Sequence, residues 1–160
     1  MPQILTFEEI ASELRAAILS GDTALVIGAG ASFTSGAPLA SGLVAEIRAK
    51  FPLAAIDEEA TFLDAATEVC DTPPYGRIKL VRMLKDLLAP LEPSPSYKQI
   101  PRVKWSAIFT TNYDDLIEKA YLSPGRVQSI QPIHLPYEGN VLPRANHVLL
   151  YYLQGSIKES

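Results

Sequence analysis

The run TALVIGAGASFTSGAP, residues 23–38, constrains the fold more than any other part of the chain. Thr23 to Ile27 is short, apolar and rich in β-formers, and reads as a buried strand. Small residues and glycines follow at once, so the backbone itself is open to a neighbour. Gly28 and Gly30 permit positive φ and let a ligand lie against the main chain. The loop then leads into a helix, whose free N–H groups and positive dipole end favour a phosphate. Ser32 and Ser35 add hydroxyl donors. A tight structural turn between strand and helix would use the same residues, so the loop needs corroboration.

Two familiar phosphate-binding patterns fit badly. A G-x-G-x-x-G dinucleotide fingerprint requires glycine at position 33, where this chain has Phe33. The acidic residue such a motif needs further on would be Glu46, which falls within a helical stretch. A P-loop requires G-K-S/T, and no lysine follows Gly36.

Elsewhere the pattern alternates helix and strand. Thr6-Phe7-Glu8-Glu9 has the form of a capping box ahead of Ile10, Leu14, Ala17 and Ile18 at helical spacing, which predicts a helix over 7–20. Helices are further expected over 39–51 (Leu43, Ile47 and Phe51 on one face), 57–69, 77–88 and 114–121. Strands are expected over 105–110, 127–130 and 147–153. Between residues 89 and 101, four prolines (Pro90, Pro93, Pro95, Pro101) argue for an irregular loop. This alternation predicts an α/β fold, a Rossmann-like parallel sheet with helices on both faces. Only three or four strands are readable, against about five or six in most open doubly wound sheets. The expectation is therefore one domain over residues 1–160, truncated or short and incomplete at its C-terminus.

Composition narrows the function classes. The chain has 160 residues, 48% hydrophobic and 20% charged, enough for one folded core. Its net charge is −4 and its Lys and Arg are scattered, which disfavours nucleic acid as the main partner. Cys70 is the single cysteine, so there is no disulfide within the chain and no four-cysteine zinc site. No apolar run reaches the roughly 18 residues of a membrane span. These features predict a cytoplasmic protein without a metal.

Two further segments place polar groups after a strand. In FTTNYDD (109–115), alternation points Ile108, Thr110 and Asn112 one way, while Thr111, Asn112 and Asp114 bring short polar groups to the strand's carboxyl end. Ligands of parallel sheets bind at that end. Asn112 or Asp114 could equally cap the following helix. In LLYYLQGS (149–156), Gln154, Gly155 and Ser156 follow a third strand, a weak signal by itself.

In this order the three segments resemble the sirtuin-like superfamily. Gly28, Ala29, Gly30, Ala31, Ser32, Gly36 and Pro38 match its glycine loop; Thr110, Thr111, Asn112 and Asp114 match its T-Q/T-N-x-D; LQGS stands where the family has L-H-G-S. The wording NYDDLIEKA and the missing zinc cysteines are closer to bacterial sirtuin-like NAD hydrolases of antiphage defence than to protein deacylases. The resemblance, over roughly Ala24 to Ile157, implies NAD+ as substrate or ligand. It assigns Gly28 to Ser32 to the pyrophosphate, Asn112 to the ribose and a water, and Asp114 to the nicotinamide amide. It further implies cleavage of NAD+ to nicotinamide and ADP-ribose, and a homo-oligomer or a partner or sensor domain.

One position departs from the pattern. Gln154 stands where the family has histidine, and an amide cannot take up a proton near neutral pH. Loss of a general base lowers a rate by roughly 10²- to 10⁴-fold. The expectation is an impaired hydrolase, or alternatively a non-catalytic module that binds NAD+ or ADP-ribose. Among substitutes, His134 lies in a proline-bracketed loop and reads as a surface residue. His147 opens the last strand, roughly 20 Å from Gln154 at ~3.3 Å per residue. Tyr113 and Tyr137 are weaker candidates. The acidic run Asp57-Glu58-Glu59 fits a solvated helix start better than a metal site.

Overall fold

The computed structural model describes residues 7–134, 141–142 and 144–158. In chain order the elements are α1 (Phe7–Ser20), β1 (Ala24–Ile27), a one-turn α2 (Ala29–Ser32) continued by a 3₁₀ turn (Phe33–Ser35), α3 (Ala40–Lys50), α4 (Phe62–Asp71) and α5 (Arg77–Leu88). There follow a second 3₁₀ helix (Tyr97–Arg102), β2 (Ala107–Thr110), α6 (Leu116–Tyr121), β3 (Ser129–His134) and β4 (His147–Tyr152). The four strands form one all-parallel sheet in the order β1-β2-β4-β3, a Rossmann-like α/β arrangement with helices around it.

Strand register decides what is buried. Leu25 pairs with Ile108 and Ile108 with Leu150, so one face presents Leu25, Ile27, Ile108, Val148, Leu150 and Tyr152. Leu116, Ile117, Ala120 and Tyr121 of α6 pack on that face, joined by Tyr97 and Trp105. Each large apolar side chain buried in this way contributes roughly 1.5–3 kcal/mol. On the opposite face Phe109 stacks on Tyr151, with ring centroids 5.0 Å apart. A second cluster joins α3, α4 and α5 through Leu43, Ile47, Phe51, Ala65, Val69, Leu80 and Leu84. Among the described residues, no helix is long and apolar enough to cross a membrane.

Several expectations are corrected. β1 is an edge strand rather than a buried one, and Val26 is 72% exposed, because only β2 pairs with it. The helix at 7–20 forms, yet Leu14 and Ala17 on its apolar stripe are exposed and Ile18 is half-buried. Thr6, the proposed cap, and the side chain of Ile10 lie outside the described residues. α4 begins at Phe62, five residues late, because Thr61 and Asp64 form a reciprocal capping box there. Asp57-Glu58-Glu59 therefore lies in the preceding turn, closed by the Ala60 N–H on the Asp57 carbonyl. The proline-rich segment is not wholly irregular, since residues 97–102 make a 3₁₀ helix whose Tyr97 is buried. β2 begins two residues late and α6 at Leu116. β3 covers 129–134 rather than 127–130, so the backbone of His134 ends a strand, paired with Tyr152, instead of lying in a loop. Tyr137 lies outside the described residues.

Candidate functional site

Because all strands run parallel, the segments after β1, β2 and β4 emerge at one end of the sheet. Backbone hydrogen bonds extend the pairing beyond the strands. The Thr111 N–H donates to the Ile27 carbonyl (3.1 Å), that of Leu153 to Thr110 (2.9 Å) and that of Ile157 to Tyr113 (2.9 Å). Lys158 fastens the last segment to α6, with Nζ 3.0 Å from Glu118 Oε2 and 3.7 Å from Asp115 Oδ2.

At the centre is a hydrogen-bond cluster that crosses the sequence. Ser32, 1% exposed, donates from Oγ to Asp114 Oδ2 at 2.7 Å. Its lone pairs then accept from Asn112 Nδ2 (2.7 Å) and from the Tyr97 hydroxyl (2.8 Å). Asn112 Nδ2 also donates to the Gly28 carbonyl at 3.2 Å and lies 3.4 Å from the Tyr97 hydroxyl. A carbonyl can only accept, so the contact with Gly28 fixes which end of the amide is nitrogen. Asn112 Oδ1 is left buried with no partner, although the residue is only 5% exposed. Orphaned buried acceptors are uncommon in folded proteins and point to a missing donor.

Asp114 is held by hydrogen bonds at both carboxyl oxygens. Its Oδ1 accepts from the Leu116 N–H at the start of α6 (3.1 Å), while Oδ2 holds Ser32. Burial pushes its carboxyl above the usual aspartate range, against the lowering influence of the Ser32 hydroxyl and the Leu116 N–H. Burial likewise raises Tyr97 and Tyr113. Tyr113 thus remains a protonated donor at neutral pH and is a poor base. Asn112 does not cap a helix.

A cavity of about 150 Å³ opens on this cluster. Its walls include Ala29, Ser32, Thr111, Asn112, Asp114 and Gln154, so all three segments reach it. A neighbouring cavity of about 380 Å³ shares Phe62, Tyr113 and Gln154 with it and is lined by Gly155 and Ser156. Gly28, Gly30 and Ala31 face a third, open groove of about 580 Å³ beside β1, together with Ala29. The expected site residues thus occupy three adjoining spaces rather than one.

The glycines act differently from expectation. Gly28 is extended, with φ −123° and ψ 179°, and neither it nor Gly30 has positive φ. A Cβ at Gly30 would meet nothing within 4 Å, so its smallness leaves open space at the loop. Within the three segments, positive φ belongs to Gly36 (87°), which ends the 3₁₀ turn, and to Gly155 (90°). Ser32 is consumed by the internal cluster, and Ser35 Oγ accepts from the Ser94 N–H (3.0 Å). Among the described residues no group of side chains could hold a metal. His147 Nδ1 lies 2.9 Å from the Ala145 carbonyl, at the amino end of β4 and hence opposite Gln154.

Tyr97 escaped the reading of the sequence. Its one signal was an aromatic residue in a segment of prolines and serines, a placement that often marks an anchor.

This arrangement, an all-parallel sheet with a polar cluster and cavity at its carboxyl end, is that of an α/β fold in which ligands bind outside the carboxyl ends of the strands. Residues 106–160 match the family described as "SIR2-like domain". The chain is also similar to "NAD(+) hydrolase ThsA" of Acinetobacter baumannii (strain 532279), 39% identical over 54 residues. That match covers 33% of this chain and 11% of the relative's length.

Proposed function

We propose that this chain binds NAD+ at the cluster of Ser32, Asn112 and Asp114 and belongs to an NAD+ hydrolase that yields nicotinamide and ADP-ribose. The observation that carries the reading is Asn112, which lines the cavity while its Oδ1 is buried and without a donor. A ribose hydroxyl or a water supplies that donor. A cavity of about 150 Å³ suits one six-membered ring, since a space of that size accepts benzene. The nicotinamide ring has this size, and Asp114 offers its carboxyl to the carboxamide. The small residues Gly28, Ala29, Gly30 and Ala31 leave room for the pyrophosphate, with Thr111, Gly155 and Ser156 on the adjoining walls. The matched relative's name supports NAD+ as the substrate class.

In hydrolysis the nicotinamide–ribose bond breaks with its electron pair going to nicotinamide, and a water oxygen bonds to the ribose carbon. The proton released by that water needs an acceptor. Gln154, exposed at the mouth of both cavities, can orient a hydroxyl but cannot accept a proton. Turnover by this chain is therefore slow. Gln154 equally favours a second reading, a non-catalytic module that binds NAD+ or ADP-ribose and regulates a partner. A cytoplasmic setting, a role in antiphage defence, and assembly as a homo-oligomer or with a sensor domain accompany the first reading as proposals.

Calorimetry with NAD+ and ADP-ribose tests the shared premise. The unsubstituted protein binds ADP-ribose, and Asn112→Ala weakens it about tenfold or more, the worth of roughly one well-made buried hydrogen bond. No binding by either protein, or equal binding by both, refutes the site.

A further inference from the structure

We propose that Tyr97 is a positioning residue that sets the orientation of Asn112, and through it the acceptor offered to the ribose. This rests on the nucleotide reading of the site. Tyr97 is 2% exposed, sits on the 3₁₀ helix before β2 and packs in the main core with Ile27 and Ile108. Its hydroxyl meets the polar cluster at Ser32 and Asn112.

The direction of each hydrogen bond follows from counting protons. Ser32 has one, and it goes to Asp114 Oδ2. The contact between Ser32 Oγ and the Tyr97 hydroxyl must then be donated by tyrosine. Ser32 Oγ has two lone pairs, filled by Tyr97 and by one Asn112 amide proton; the other amide proton goes to the Gly28 carbonyl. The Tyr97 oxygen, 3.4 Å from Asn112 Nδ2, flanks the amide from a third side. The donors of Tyr97, Ser32 and Asn112 are thus spent on Ser32, Asp114 and Gly28, and Asn112 Oδ1 is left buried with no donor. Without the phenol, Ser32 can turn to use its vacant lone pair. Asn112 then loses the lateral contact that helps hold Nδ2 against Ser32 and Gly28. Tyr97 reaches no ligand itself and acts through Asn112.

The test is Tyr97→Phe, which keeps the buried ring. Two readouts are combined. The first needs no ligand: solvent exchange of the Asn112 side-chain amide protons, followed by NMR in both proteins. Exchange about tenfold faster in Tyr97→Phe is expected, at an unchanged fold by backbone spectrum. The second is a double-mutant cycle on ADP-ribose affinity with Asn112→Ala. Tyr97→Phe weakens binding about five- to tenfold in the unsubstituted protein and has no further effect in Asn112→Ala. Unchanged amide exchange, or an equal loss of affinity in both backgrounds, overturns the proposal. If the unsubstituted protein fails to bind ADP-ribose, the nucleotide reading falls, and the exchange rate alone decides whether Tyr97 orients Asn112.

Discussion

Gln154→His is the perturbation that separates chemistry from binding. Gln154 is solvent-exposed, follows β4 and lies at the wall shared by the cavities of about 380 and 150 Å³. An imidazole replaces the amide there without entering the packed core, so stability changes by about 0.5 kcal/mol or less. Its neighbour Gly155 already supplies the turn through φ of 90°, which leaves the backbone of the segment unaltered. A correctly placed general base is worth roughly 10²- to 10⁴-fold in rate, or about 2.7–5.5 kcal/mol of barrier. Nicotinamide release followed over time should therefore rise by that factor in Gln154→His, while ADP-ribose affinity stays within about threefold. The gained activity should fall as pH drops below about 6.5, because a protonated imidazole no longer accepts the water's proton. If Gln154→His binds ADP-ribose as tightly as before and still releases no nicotinamide, the argument from the missing base is wrong. The binding-module reading would then stand.

Two further expectations concern the buried cluster and its frame. Burial raises the Asp114 carboxyl, so its stabilising share is fully present below the usual aspartate value of about 3.9 and is lost as pH rises through the raised one. Asp114→Asn lacks that loss, and the stability of the variant relative to the unsubstituted protein should increase between about pH 4 and pH 7; urea midpoints at both values check the sign. Gly155→Ala forces an L side chain into φ of 90° and should destabilise by roughly 1–2 kcal/mol, with weaker ADP-ribose binding because the Gln154 turn shifts; thermal unfolding and calorimetry measure both.

Much of the framework was legible because it depends on neighbours in sequence. Helix 77–88 declares itself by apolar spacing and matches the structure at both ends. The 62–71 helix was misplaced at its start, because Asp57-Glu58-Glu59 resembles a first turn while the Thr61–Asp64 capping box fixes the actual one. β1 looked like a central strand since its residues are apolar; which neighbours it has is a matter of sheet order, which no local pattern encodes.

The site divides along the same line. The sequence by itself determined that three small, polar segments each follow a strand, and which residue types each carries. That alternation implies a parallel sheet, and a parallel sheet gathers such segments at one end. What only the tertiary structure decided is which atoms remain free. Asn112 takes its orientation from Gly28, 84 positions away, from Ser32 at 80 and from Tyr97 at 15. Saturation of a hydrogen-bond cluster is a property of the whole packed set, so Oδ1 is left without a donor only once the fold has committed Ser32, Tyr97 and the Asn112 amide protons to other partners.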